Sequence, residues 1–248
     1  MKLLSCSALL LLTFSLNAQA PETPKAVAIK DEPHHRLVFE NEYVRVFRVS
    51  VPAHDATLLH KHDVPYLYVS LGQADVVNAV QGRPEARIVM ADGQVGYSLG
   101  HFAHIARTDA GSTFDNVTIE LLKPQGEPHN LCEQVLPNAA AGPCQKMSVN
   151  NKYRYSVVPQ LQTDELSVNL FILGPKARMI ATAPPPGMML VELDDSNLRL
   201  GLQGIQIKTL HVGEVTWLEA GSQGFMTNPS KKPSKYLQLS FKDSEAKP

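Results

Sequence analysis

The sequence predicts an all-β protein made of two β-barrels in tandem. Three observations favour this fold class: short segments alternate between apolar and polar residues, turn-forming residues separate them, and one half of the chain repeats the pattern of the other. The 248 residues include 18 prolines and 15 glycines and show no long helical periodicity. The chain therefore has the length of two small domains and the composition of a β protein.

Three segments show the alternation most clearly. In residues 43–51 and 117–121, side chains two apart share one face of an extended strand. Residues 66–71 are rich in aromatic and β-branched side chains, which favour strands. We expect these strands to be short, joined by Gly, Pro and Asp turns, and arranged in a sandwich or a barrel.

An internal repeat indicates the number of domains. A glycine turn followed by an aromatic residue recurs when residues 93–97 are set over residues 213–217, an offset of 120. The same offset places segment 117–121 on segment 237–241. We interpret this as two copies of one barrel. The predicted divisions are a loose N-terminal arm at 21–35, a first barrel at 36–123, a linker at 124–155 and a second barrel at 156–242.

The first twenty residues predict a signal peptide. Lys2 precedes an apolar stretch too short to span a bilayer, and Ala18-Gln19-Ala20 has the small-x-small form of a signal-peptidase site. A membrane anchor is the alternative, which the length and the flanking residues disfavour. We therefore expect residues 1–20 to be removed and the mature protein to be secreted or periplasmic.

The charge of the mature chain excludes two classes of partner. Loss of the signal peptide removes Lys2 from the 23 Lys and Arg residues, which leaves 22 against 24 Asp and Glu. A near-neutral chain lacks the electrostatic footprint of proteins that bind nucleic acid or anionic lipid. We expect no nucleic-acid partner, and no membrane association after the signal peptide is cleaved.

The cysteines predict a disulfide. Cys6 leaves with the signal peptide, so Cys132 and Cys144 are the pair that remains. Two cysteines in an exported chain most often pair, and the loop between them has no strand or helix periodicity, so a covalent link would order it. A metal site is the alternative, but it needs more ligands than this pair and His129 supply.

Histidines mark the candidate site. His60 and His62 are two residues apart, which places them on one face of a strand, about 6.6 Å apart along it, with Lys61 on the other face. Two imidazoles so placed can bind one ion at about 2.0–2.1 Å each, although a lone pair of this kind is more often solvent-facing or satisfied in a core. His104, eleven residues after Gly93, supplies a third imidazole from a later strand.

The spacing of these histidines resembles the first motif of the cupin superfamily. That motif is His-x-His, three or four residues, Glu, and a glycine about six residues later. Here its positions hold His60, His62, Tyr66 and Gly72. The resemblance covers nearly the whole mature chain, and it implies that each half is a double-stranded β-helix, or jelly-roll, barrel.

The second cupin motif is partly kept in the first half. Gly93 and His104 match it, whereas Leu99, His101 and Thr108 replace the usual Pro, Gly and Asn. In the second half the same motif is matched by Gly213, Gly221 and Asn228, but Gly224 stands at the histidine position, and the only histidine, His211, precedes the glycine turn. The second barrel is therefore expected to lack a metal site of the family's kind.

The resemblance implies that His60, His62 and His104 bind a divalent transition metal ion. Imidazole ligands suit Fe, Zn, Mn, Ni and Cu alike, so the ligand type does not choose among them. Tyr66 takes the place of the family's glutamate and, by parity, shares the face of the two strand histidines. It is the candidate catalytic residue, expected to orient the substrate or a bound oxygen; an ordinary core tyrosine is the alternative.

Three other side chains could complete the site. Asp63 has the wrong parity unless a β-bulge intervenes. Glu120 could point inward, but it lies on the opposite strand face from the apolar residues of segment 117–121. We expect those apolar residues to face the interior instead. His101 lies three residues before His104, which strand parity opposes, so it is expected to remain outside the ligand set.

The function expected from this resemblance is that of an exported metal-dependent oxygenase or isomerase acting on a small anionic molecule. A non-catalytic module that binds a small ligand and a purely structural two-barrel unit are the alternatives. The first needs open coordination positions on a metal, which three imidazoles leave. The second predicts stabilisation by a ligand without turnover. Because cupin barrels often pair through edge strands, a homodimer is a further expectation.

Overall fold

The computed structural model describes residues 25–109, 111–142, 144, 147–150, 154–202 and 207–242. The predicted signal peptide, residues 1–20, and positions 21–24 of the predicted arm lie outside the described residues. Strands form nearly all of the regular structure, beside one 3-10 turn at Ile29–Asp31, which confirms the all-β prediction. No helix within the described ranges is long and apolar enough to cross a membrane.

The first half of the chain forms two five-stranded sheets. Its strands are β1 Val27–Ala28, β2 His35–Glu40, β3 Val44–Val51, β4 His60–His62, β5 Tyr66–Ser70, β6 Ala74–Val80, β7 Ala86–Met90, β8 Val95–Ser98, β9 Phe102–Arg107 and β10 Phe114–Leu121. Sheet I has the strand order β1-β4-β9-β6-β7, and sheet II has the order β2-β3-β10-β5-β8.

The second half forms a larger and a smaller sheet. Its strands are β11 His129–Asn130, β12 Met147–Asn150, β13 Tyr155–Gln162, β14 Leu166–Leu173, β15 Arg178–Thr182, β16 Gly187–Glu192, β17 Arg199–Leu202, β18 Lys208–Thr209, β19 Val215–Glu219, β20 Gln223–Thr227 and β21 Ser234–Phe241. Sheet III has the order β11-β13-β14-β21-β16-β19, with β12 beside β13, and sheet IV has the order β15-β20-β17-β18.

The two halves share one strand order. The run β3-β10-β5-β8 in sheet II corresponds to β14-β21-β16-β19 in sheet III. Strand β21 begins and ends 120 residues after β10, and Gly93 and Gly213 adopt positive φ angles of 73° and 74° at equivalent turns. The repeat in the sequence is therefore a repeat of architecture. None of the described sheets closes on itself, so each half consists of two facing sheets.

Sheet II lies between two other sheets. On β3, Phe47 and Val49 face sheet I in a cluster that includes Met90, whereas Val46 joins a second cluster shared with sheet III. A third cluster fills the space between sheets III and IV. The four sheets thus stack in the order I, II, III, IV. A sheet covered on both faces has apolar residues on both, and this determines which side chains reach the interior of the first half.

The segment predicted as a loose arm is packed where the structure describes it. Val27–Ala28 pairs in parallel with the first two residues of β4, and Ile29 is 4% exposed. The buried carboxylate of Glu32 accepts hydrogen bonds from the side chains of His34 and His35. The apolar anchor and the buried hydrogen bonds to Glu32 hold this segment against the first half. The predicted linker likewise contributes two strands, β11 and β12, to sheet III.

Candidate metal centre

Two neighbouring strands of sheet I bring the three predicted imidazoles together. On β4, His60 and His62 point to the interior, while the 47% exposed side chain of Lys61 points to solvent. Strand β9 pairs antiparallel with β4 and places His104 opposite His60. The three side chains offer nitrogen atoms that all lie within 4.8 Å of one another.

Two of the imidazoles are oriented by hydrogen bonds at their Nδ1 atoms. His60 Nδ1 lies 2.9 Å from the carbonyl oxygen of Leu58, and His104 Nδ1 lies 2.6 Å from Asn78 Oδ1. Both oxygens are acceptors, so each Nδ1 carries the proton and each Nε2 keeps a lone pair. Burial and the neighbouring imidazoles lower the pKa of His60 to about 4 and that of His104 to about 3. Both rings are therefore neutral at pH 7.

A shared cation would account for the three Nε2 atoms of the trio, which protein hydrogen bonds leave over or leave close together. His62 Nε2 and His104 Nε2 lie 3.2 Å apart, and the buried Nε2 of His60 has no partner among the described residues. Burial and the adjacent His104 lower the pKa of His62 to about 2, so this ring is neutral as well. A hydrogen bond between His62 and His104 would leave His60 Nε2 unsatisfied, whereas a metal ion would use one lone pair from each of the three rings. The residues fit a three-histidine site.

Glu120 stands behind His62, which corrects the expectation from the sequence. Its Oε1 lies 3.9 Å from His62 Nδ1, and its Oε2 lies 3.1 Å from Arg45 Nη1. Burial raises the pKa of this carboxyl, and Arg45 opposes the rise. The apolar residues of segment 117–121 face sheet III instead, because sheet II is covered on both sides. At 3.9 Å this carboxylate is beyond hydrogen-bond distance, and the buried His62 Nδ1 has no hydrogen-bond partner among the described residues.

Tyr66 lies against His62 inside the first half. The two rings are stacked, with centroids 4.0 Å apart and planes 17° apart. Burial raises the pKa of the phenol well above its ordinary value, and a hydrogen bond with Ser98 offsets only part of the rise. The phenol is therefore neutral and supports the ring of His62. Its role as a catalytic residue stays a prediction.

His35 is a further residue of the site that the spacing of the histidines does not reveal. Its ring centroid lies 4.6 Å from that of His60, and its side chain lines the same cavity. His35 Nδ1 is 2.5 Å from the carboxylate of Glu32. Burial raises the pKa of Glu32, but the hydrogen bonds from His35 and His34 outweigh it and lower the pKa to about 2. The only sequence signal was a Glu-x-His-His cluster in the segment taken as a loose arm.

Two candidates from the sequence lie outside the cluster. Asp63 forms a surface ion pair with Lys61 at 2.9 Å, and His101 is an exposed turn residue with a φ of 61°. In the second half, the strands that correspond to β4 and β9 are β15 and β20, and they turn apolar side chains inward: Met179, Ala181 and Met226. Among the described residues, this interior contains no histidine.

The histidines open into a cavity of about 680 Å³ between sheets I and II. Aromatic, aliphatic and amide side chains form its walls, and they include Tyr66, Tyr68, Val76, Asn78, Met90, Phe102, Phe114, Asn116 and Thr118. Two exposed arginines, Arg83 and Arg87, lie at its edge, and among the described residues its lining contains no aspartate or glutamate. The cavity is large enough for a small organic molecule.

The loop after β11 also reaches the cavity. Pro137 and Asn138 contribute to the lining, and the backbone N–H of Tyr97 on β8 donates to the carbonyl of Val135. The Asn130 side chain holds the loop by accepting from the N–H of Val135 at 3.0 Å and donating to the Ala139 carbonyl at 2.8 Å. The sulfur atoms of the predicted pair, Cys132 and Cys144, lie 2.16 Å apart. The loop thus covers the edge of sheet II next to the site.

Neither a protein-family model nor a curated protein sequence matches this chain. Solved structures do. A cupin 2 conserved barrel domain protein from Leptotrichia buccalis is 8% identical, with a TM-score of 0.53 over 89% of this chain and 92% of that one. Salicylate 1,2-dioxygenase from Pseudoaminobacter salicylatoxidans, in adducts with gentisate, is 8% identical, with a TM-score of 0.57 over 81% of this chain and 68% of that one.

Oxalate decarboxylase from Bacillus subtilis, described with Mn(II) centres, is 12% identical, with a TM-score of 0.53 over 82% of this chain and 70% of that one. Identities this low carry no information about activity, whereas agreement over four fifths of the chain or more concerns the arrangement of its strands. The chain therefore has the cupin fold.

Proposed function

We propose that this chain is an exported metal-dependent protein whose first half binds a divalent transition metal ion and acts, as an oxygenase or isomerase, on a small organic anion. One observation carries the proposal: three buried, neutral imidazoles converge at one point and open into a cavity whose lining, in the described part of the chain, holds no carboxylate. Neutral imidazole is the form of histidine that binds metal, and an open cavity beside the ligands is typical of reactive sites.

The residues around the trio have distinct tasks in this proposal. The Leu58 carbonyl and Asn78 hold His60 and His104 with their Nε2 atoms free. Tyr66 packs on one face of His62, and Glu120 lies behind it. A metal ion bound there would supply Lewis-acid or redox chemistry to a ligand in the cavity.

The remainder of the chain supports the site. The second half, which repeats the architecture of the first, is proposed to be a second cupin barrel with a packed apolar interior and a structural task. The closely spaced sulfur atoms of Cys132 and Cys144, together with the first twenty residues, support export to a secreted or periplasmic location. The solved structures with salicylate dioxygenase and oxalate decarboxylase activity support a small organic acid as the ligand class by analogy.

Metal content tests the proposal. We expect about one transition metal ion per chain in purified mature protein and almost none in a His60→Ala/His62→Ala double variant. The matched control is His129→Ala/His211→Ala, because both histidines are exposed and outside the cavity, and it should keep the metal. Equally low metal in all three proteins would refute the site. Metal-loaded protein that is stabilised by organic anions without consuming them would favour the non-catalytic alternative.

A further inference from the structure

Apart from the histidine trio, the cavity between sheets I and II carries amide side chains on both of its walls. Its lining contains no carboxylate among the described residues, and it includes three amide side chains: Asn138 on the loop after β11, and Asn78 and Asn116 on opposite walls. Asn78 lies on β6 of sheet I and Asn116 on β10 of sheet II. The direction in which each amide points therefore decides what kind of ligand group the cavity can hold.

The amide of Asn116 has its oxygen already occupied. The hydroxyl of Thr118 donates to Asn116 Oδ1 at 2.8 Å, and the two residues are only 3% and 4% exposed. This bond turns the NH₂ group of Asn116 away from Thr118. No protein acceptor for that NH₂ group is found in the part of the chain that the structure describes, and the residue lines the cavity. Its two N–H donors are left for a ligand.

The amide of Asn78 is oriented in the same way, with its oxygen occupied by a protein donor. His104 Nδ1 donates to Asn78 Oδ1 at 2.6 Å, which is the bond that leaves His104 Nε2 free for the metal. The NH₂ group of Asn78 has no acceptor among the described residues either. Both walls of the cavity therefore present N–H donors, of which Asn78 lies directly beside His104, while Arg83 adds a positive charge at the edge of the cavity.

We propose that Asn78 and Asn116 determine the ligand specificity of this cavity: their amide N–H groups hold the acceptor oxygens of an organic carboxylate bound beside the histidine trio. The inference rests on the proposed metal site and adds the residues that choose the ligand. A carboxylate offers acceptors only, so its oxygens match the amide N–H donors that both walls present. The protonated ammonium form of an organic amine offers only donors and would leave both amides facing like groups.

The test uses cobalt-loaded full-length mature protein with benzoate as the carboxylate probe and benzylamine as its donor counterpart, with affinity measured by calorimetry and by the visible absorption of cobalt. Asn116→Asp keeps the acceptor for Thr118 but replaces the N–H donors with a second acceptor. We expect benzoate binding to weaken at least about tenfold and the preference to shift toward benzylamine. Asn116→Leu should weaken the binding of benzoate without shifting the preference toward benzylamine.

Asn169→Asp on β14 is the matched control, since Asn169 lies outside the cavity lining, and it should bind both probes as the wild type does. A reversal of preference in Asn116→Asp alone is a result that a merely structural asparagine would not produce. Unchanged benzoate affinity in both Asn116 variants, or a wild type that prefers benzylamine or binds neither probe, would overturn the inference. Failure of the wild type to take up cobalt would instead overturn the metal site.

Discussion

Glu192 on β16 is a carboxyl group buried in the second half, and it has no ionic partner among the residues that the structure describes. Its Oε1 lies 3.4 Å from the hydroxyls of Ser196 and Ser234, and its Oε2 has no hydrogen-bond partner among the described residues. Burial and the neighbouring Asp194 raise its pKa from 4.5 to about 9. The folded chain therefore holds a proton that the unfolded chain releases, and the free energy of unfolding falls as the pH rises between these two values.

Glu192→Gln removes this linkage because the amide does not ionise. We expect the variant to be more stable than the wild type at pH 8, with an advantage that shrinks by about 1 kcal/mol per pH unit as the pH approaches 5. Urea denaturation at pH 5, 6.5 and 8 measures the difference. Asp195→Asn, at an exposed neighbour, is the control and should show no such trend. An advantage that does not change with pH would contradict the raised pKa.

At the scale of residues, the sequence was sufficient to predict the histidine trio but not the side chains that surround it. The trio was recognisable because two ligands share one strand and a third follows a glycine turn. His35 comes from β2, and nothing in its own spacing links it to His60. Asn78 and Asn116 are ordinary strand residues in sequence. Their partners, His104 and Thr118, fix their orientation only once the strands are assembled.

At the scale of elements, strand positions were predictable but their inner faces were not. Period-two alternation located β3, β5 and β10, which the structure contains. The alternation in β10 assigned its apolar residues to the interior of the first half, whereas they pack on sheet III and leave Glu120 beside His62. Alternation shows that two faces differ. It does not show which face meets which neighbour when both are covered.

The pairing of β5 with β8 makes a second element-scale prediction. Tyr68 pairs with Gly96, and a Cβ atom at position 96 would overlap the tyrosine ring. We expect Gly96→Ala to lower the free energy of unfolding by about 1–3 kcal/mol, because the ring must move into the cavity. Urea denaturation measures the loss. Gly111→Ala, where a Cβ atom would meet nothing within 4 Å, should cost far less. Equal effects at both positions would rule out the steric explanation.

At the scale of the whole molecule, the repeat predicted the equivalence of the halves but not the way they join. One apolar cluster draws on β10 of sheet II and on β21 of sheet III, so the two halves share a core. Proteins that share a core in this way unfold cooperatively. The stability of the histidine site should therefore depend on packing in the second half, including the interior between sheets III and IV.

Met188→Ala tests this dependence. Met188 is fully buried between sheets III and IV, in a cluster that contains no residue of the first half. We expect the substitution to lower the free energy of unfolding by about 2–5 kcal/mol. The melting temperature followed by cobalt absorption, which reports on the first half, should fall as much as the melting temperature followed by far-UV circular dichroism. Ile180→Ala, at a 77% exposed position of the same half, should shift neither signal. If Met188→Ala splits the transition and leaves the cobalt signal unmoved, the halves fold separately, and the shared cluster between sheets II and III is too weak to couple them.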